Sequence, residues 1–240
     1  MLLITIFAVF NFLNLISGIT FKYCKGSESN TDACLVDAIS DALQKLRTGC
    51  EEFGLKNLDV YNVGPISVEA GNGAIHIIQN NWNIELRGIA DAIVKEAHFD
   101  KESKALTFTM LIPRLIQNSD YNISGQVLSL PLSGIGTSTF ELYDMGLKFY
   151  LILDEYTRDA KRYYKIKSMQ ADMPISGFKA HYDNLFDGNK VLGDSVNEMF
   201  NKEWKVIYDI VQHPVEKAYG KDFEIYIQTF LDHVPAKDLF

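Results

Sequence analysis

Between residues 60 and 180 the chain sets large apolar side chains at every second position, in runs that extended strands explain. Leu106, Phe108, Met110 and Ile112 are separated by Thr107, Thr109 and Leu111. Ile84 and Leu86 flank Glu85, and Leu147, Phe149, Leu151 and Leu153 are separated by Lys148, Tyr150 and Ile152. A period of two puts one set on each face of a sheet. Gly71-Asn-Gly73, Asn80-Asn81, Asp100-Lys-Glu-Ser103 and Arg158-Asp-Ala-Lys161 carry turn chemistry, so consecutive strands can join as an antiparallel meander. Tyr150 and Ile152 put bulk on the second face as well. The expectation is therefore a strongly curved sheet, wrapped around one element and partly covered outside by another.

Two helical stretches flank this region. From Thr31 to Thr48, Leu35, Ile39, Ala42 and Leu46 recur at spacings of four, three and four, with Thr31 or Asp32 able to cap the start and Gly49 the end. Near the C-terminus, Ser195-Val-Asn-Glu198 fits a capping box, which predicts a helix start at Ser195. Val196, Phe200, Trp204, Ile207 and Val211 then form a stripe that Met199, Val206 and Ile210 widen, so this helix should be embraced rather than merely docked. Pro214 predicts a kink or stop near Gln212, before a last amphipathic stretch from Asp222 to Asp232 that holds Phe223, Ile227, Phe230 and Leu231.

The first 18 residues carry no charge and end in Ser17-Gly18, which reads as a secretory signal peptide cut between Ser17 and Thr20. Residues 19–240 hold no low-complexity linker or fixed repeat, so a single secreted, extracellular domain without an integral membrane span is expected. The net charge of −8 argues against a nucleic-acid partner, which requires clustered Lys and Arg. Of the three cysteines, Cys24 and Cys34 are expected to pair in an oxidising route, tethering the N-terminal arm to the first helix. Cys50 is left free and buried.

Further along, the residues resemble the insect Takeout and haemolymph juvenile-hormone-binding family. The resemblance is carried by Asp183-Asn-Leu-Phe186-Asp-Gly188 with Leu192, Asn197, Phe200 and Asn201-Lys-Glu203-Trp204. Tyr121-Asn-Ile-Ser-Gly125 and Leu130-Pro131-Leu-Ser-Gly134-Ile-Gly136 add to it, with the Cys24/Cys34 arm and the terminal Val234–Phe240 segment. It implies an α+β fold in which a strongly curved antiparallel sheet rolls around one long C-terminal helix, with a shorter N-terminal helix. It further implies an internal hydrophobic tunnel for a terpenoid or other lipid-like ligand. Two departures stand out. Asp59-Val60 replaces the Asp-Pro often found after the first helix, and no cysteine follows Cys50, so a second disulfide cannot form.

No reacting constellation accompanies this pattern. The histidines, His76, His98, His181, His213 and His233, show no metal-ligand spacing. Ser133-Gly134-Ile135-Gly136 is neither a nucleophile elbow nor a dinucleotide fingerprint and reads as a turn or bulge between strands. Asp154 and Glu155 are adjacent and would face opposite ways on a strand. No catalytic residue, metal or cofactor is implied, and the protein is read as a non-enzyme.

The expected ligand-binding set is Trp82, Phe108, Met110, Phe149, Tyr150, Met173, Phe186, Val196, Met199, Phe200, Trp204 and Phe230. Met110, Met145, Met169, Met173 and Met199 would form an adaptable wall. Tyr143, Tyr150 or Tyr164 could meet a polar ligand end. Asn122-Ile-Ser124 is the single glycosylation sequon. The expected function is transport or sequestration of a small hydrophobic ligand, with a receptor or acceptor as a further partner. Alternatives are a ligand-free interaction protein on the same scaffold and a lipid-modifying enzyme.

Overall fold

The computed structural model describes residues 19–24, 31–127 and 130–239; the expected signal peptide lies outside these residues. Its strands are β1 (Tyr61–Val63), β2 (Ile66–Asn72), β3 (Ile75–Arg87), β4 (Ile93–Asp100), β5 (Ala105–Val127), β6 (Leu130–Arg158), β7 (Lys161–Asp172) and β8 (Gly177–Tyr182). The helices are α1 (Thr31–Lys45), α2 (Lys190–Lys202) and α3 (Trp204–Leu231).

All strands join one antiparallel sheet whose spine is the pair β5–β6, in register from Ala105↔Ile152 to Val127↔Leu130. Laid straight, the 29 residues of β6 would reach ~95 Å. A chain of this size has a radius of gyration near ~18 Å, so the spine has to coil. The flanking strands each serve one half of it. β4 pairs with residues 105–111 of β5 and β7 with residues 148–158 of β6, whereas β3 pairs with residues 116–127 of β5 and β8 with residues 138–143 of β6. β2 extends β3 outward, and α3 packs against both β2 and β7, closing the open side of the curl.

The expected alternation holds along both long strands but changes phase at one point. On β5 the buried positions are 106, 108, 110 and 112, then 115, 117, 119 and 121, with Pro113 and Arg114 both exposed. Directly across, β6 buries 145, 147, 149 and 151 on one side of Tyr143-Asp144, and 142 and 138 on the other. Both strands shift together, so the register survives while the spine turns a corner. The interior thereby divides into two apolar clusters, one under α1 and the C-terminal half of α3, the other under α2 and the start of α3.

Several local expectations are corrected. Asn80 and Asn81 sit inside β3, where Asn81 pairs with Tyr121 across the ladder. Ser133–Gly136 lies within β6 rather than between strands. Its glycines serve close approach, since a Cβ at Gly136 would lie 2.5 Å from the Asp183 carbonyl and one at Gly134 would lie 3.1 Å from the Leu185 Cα. The C-terminal helix begins at Lys190 under an Asn189 cap. Ser195 is interior to it, its hydroxyl donating back to the Val191 carbonyl at 2.7 Å.

The helical break falls at Glu203 instead of near Pro214, and α3 runs through that proline without interruption. A proline inside a helix costs about 3 kcal/mol, less than the burial of apolar side chains on both sides of it against the sheet. Tyr150 faces solvent at 46% exposure, so no outer layer covers it.

Asn197 and Asn201 explain how α2 seals the sheet. The Asn197 amide accepts from the Tyr182 N–H at 2.9 Å and donates to its carbonyl at 3.0 Å, and Asn201 does the same for Ala180 at 2.8 and 2.9 Å. Spaced four apart on one helix face, the two side chains act as a surrogate strand along the free edge of β8.

Candidate ligand-binding site

The disulfide joins Cys24 to Cys34 and Cys50 is free and buried, as expected. The bond holds the arm Ile19–Cys24 against α1. Lys45 Nζ donates to the Thr20 carbonyl at 2.5 Å, and the Lys22 N–H donates to Asp41 at 3.1 Å. Asp41 is partly buried, which alone would raise its pKa, yet the hydrogen bonds from Lys45 and the Lys22 N–H hold it below the ordinary carboxylate range. Phe21 on this arm meets Phe230 edge-on at 5.1 Å and Phe53 at 6.1 Å, and Phe53 stacks on His233 at 4.7 Å.

Beneath this cover lies a cavity of about 180 Å³. Its roof is the apolar stripe of α1, Leu35, Ile39 and Ala42, joined by Ala38 and Leu43 and by Leu46 just past the helix end. Its floor is the inward rows Leu106, Phe108 and Met110 of β5 and Leu147 and Phe149 of β6. Phe223, Tyr226, Ile227, Phe230 and Leu231 of α3 form one wall, Leu58, Tyr61 and Ile89 another, with Phe21, Lys22 and Leu239 at the rim. Phe108 and Phe149 pair across the strands at 4.9 Å, and Phe149 meets Phe223 at 5.9 Å.

The two lining hydroxyls are both committed. Tyr61 donates to Asp222 at 2.5 Å and Tyr226 to the Lys56 carbonyl at 3.2 Å, while Lys56 pairs with Asp222 at 3.3 Å. Burial, followed by the bond to Asp222, pushes the Tyr61 phenol far above its usual range, and burial raises Tyr226. Neither ionises near neutral pH, so the cavity presents hydrocarbon and ring faces to whatever fills it.

Of the expected ligand-binding residues, Phe108, Met110, Phe149 and Phe230 come together here. The others lie elsewhere. Val196 and Phe200 are in the second core cluster, with Phe186 and Met199 packed against it. Met173 is buried in the first cluster, its carbonyl accepting from the Tyr208 hydroxyl. Trp82 stands opposite Asp120, on the face away from Asn81 and at the β3 bulge. Trp204 lines an open surface concavity with Tyr143 and His181.

Nor do the tyrosines suggested for a polar ligand end reach the cavity. Tyr143 donates to Glu141, Tyr150 faces outward, and Tyr164 is buried against Phe99. Tyr61 and Tyr226, which do line the cavity, escaped sequence reading because their partners are 161 and 170 residues away in the chain.

Fold and cavity together define a container, a coiled antiparallel sheet closed by helices over an apolar hollow. The chain belongs to the haemolymph juvenile hormone binding protein family, whose model matches residues 2–240. It is 25% identical over 227 residues to the circadian clock-controlled protein daywake of Drosophila melanogaster, covering 91% of this chain and 86% of that protein. The daywake protein of Drosophila yakuba is also 25% identical, over 229 residues and with the same coverage. Among solved structures, Takeout 1 of Epiphyas postvittana superposes with a TM-score of 0.79 at 20% identity, covering 87% of this chain and 95% of that one, and so shares the fold. No helix among the described residues is long and apolar enough to cross a membrane.

Proposed function

We propose that this protein is an exported carrier that holds one small hydrophobic molecule, such as a terpenoid or another lipid-like compound, in the cavity under α1. The observation that carries this reading is a void walled by apolar side chains whose two phenols are turned onto protein partners. Such a hollow stays dry and gains free energy when hydrocarbon fills it. At ~0.8 kcal/mol per methylene, ten carbons contribute ~8 kcal/mol gross, from which association entropy is subtracted. Phe108, Met110, Phe149 and Phe230 would touch the ligand, and no reacting group is required.

Export rests on the uncharged leader and the Cys24–Cys34 bond, which persists in oxidising compartments. Residues 19–240 would be the mature single domain. Asn122 is exposed on the outer face of β5 and would carry a glycan, read as a mass loss on enzymatic deglycosylation. The carrier reading is tested by displacing a fluorescent apolar probe from delipidated protein. Saturable one-to-one displacement is expected; no uptake across several probe classes refutes it.

A further inference from the structure

The outward face of β5 carries a group of residues that ligand carriage leaves unused. Tyr121 and Ile123 point into the second apolar cluster, so Asp120, Asn122 and Ser124 point out. Asn122-Ile-Ser124 is the glycosylation sequon, and strand alternation sets both of its polar side chains on this exposed face. Pairing in register puts Ile135 of β6 directly across from Asn122 on one side and Asn80 of β3 on the other. The diagonal positions on β3 are Ile78, opposite Ser124, and Trp82, opposite Asp120. Three apolar side chains thus surround the sequon asparagine, about 4.5–5.5 Å away across the pair and roughly 7–8 Å away on the diagonals.

Ile135 is 59% exposed, and Ile78 and Trp82 are half-buried. Among the described residues neither apolar cluster includes any of the three. A single exposed isoleucine is ordinary on a protein surface and calls for no partner. A tryptophan and two isoleucines grouped around one sequon form a patch with a tethered occupant at hand.

We propose that Ile135, Ile78 and Trp82 form a bed for the first sugars of an N-linked glycan on Asn122, which then packs against the sheet as part of the folded structure. The inference rests on export and on a glycan at Asn122; it is independent of what the cavity under α1 holds. The first N-acetylglucosamine has an apolar C–H face and an acetyl methyl, so it covers Ile135 and the Trp82 ring while its hydroxyls stay in water. Being tethered beside the bed, it escapes most of the association entropy that a free sugar would lose. Exposed polar side chains at the margin, Ser67 and Asn80 on one flank and Ser133 and Thr137 on the other, meet the remaining hydroxyls.

The test uses the full chain secreted from insect cells, as wild type and as Ser124→Ala, which removes the sequon and keeps Asn122. Intact mass should show a glycan on the wild type alone; a bare wild type overturns the glycan and the bed together. Trp82 and Trp204 are the two tryptophans, and Trp204 stands apart at the surface concavity of Tyr143 and His181. In a Trp204→Phe background, acrylamide should quench Trp82 less in the glycosylated protein than in Ser124→Ala, with its emission shifted to the blue. Should that background not fold, the same comparison on the parent chains carries a constant Trp204 contribution. Equal quenching of Trp82 with and without the glycan overturns the bed and leaves the glycan standing. Loss of the glycan should also lower the melting temperature by about 2–4 °C, and by less once Ile135→Ser has removed part of the bed. An equal drop in both backgrounds contradicts a contact between the sugar and Ile135. So does a glycosylated chain that dimerises until Ile135→Ser makes it monomeric, which would give this face to a second copy.

Discussion

The two ends of the molecule are built from the same two strands and differ in what fills them. Under α2, the sheet buries Ile75, Ile77, Tyr121, Ile123 and Tyr182 against Val196, Phe200 and Ile207 in one packed apolar cluster. Under α1, the rows 106–110 and 147–149 face a helix held off by the cavity. The difference lies in how each helix is fastened. Asn197 and Asn201 hold α2 directly to the β8 backbone, leaving no room between helix and strand. On the other side α1 is held from its rim, by the Cys24–Cys34 bond, the Lys45 and Asp41 contacts and a His98–Asp32 pair at 2.9 Å. Fastening at the edge leaves the middle hollow.

That contrast can be broken from either side. Phe200→Ala, in the cluster under α2, should cost about 3–5 kcal/mol of unfolding free energy in a denaturant titration, with probe affinity at the α1 end unchanged in the folded protein. Opening the disulfide with Cys24→Ser and Cys34→Ser should cost about 2–3 kcal/mol and speed ligand dissociation, because the arm carrying Phe21 is then free of the helix start. Met110→Phe, which fills the hollow, should weaken probe binding at least tenfold, about 1.4 kcal/mol, while leaving the melting temperature unchanged or raised.

The smallest effect concerns pH. The folded pKa of Asp41 lies below its unfolded value, so its stabilisation is complete above the ordinary carboxylate range and disappears as pH falls through the folded value. Hydrogen exchange in residues 19–24 should therefore be flat from about pH 5 to 8 once corrected for intrinsic rates and should quicken only below about pH 4. Asp41→Asn should remove that transition.

Most of this architecture was legible where periodicity is local. The α1 stripe and the alternating rows of β5 and β6 appear as read, because each reflects a single face meeting a single environment. The corner was not legible. Pro113-Arg114 and Tyr143-Asp144 shift phase together only because they are paired, a relation no window along one strand reveals.

The same holds for the site. Alternation and helical spacing point to Phe108, Met110, Phe149 and Phe230, which the structure brings to one cavity, whereas Val196 and Phe200 of the wide stripe lie in the second apolar cluster and Trp204 at an open surface concavity. Large apolar side chains look alike whether they line a void or fill one, and the helix attachment that decides between these outcomes is long-range.

Methyl NMR of methionine-labelled protein tests the central claim most directly, since Met110 lines the hollow and Met199 packs against the cluster under α2. On titration with a ten-carbon apolar ligand, the Met110 methyl should shift saturably at one equivalent while the Met199 methyl stays in place. A shift at Met199 with Met110 unmoved would contradict the account.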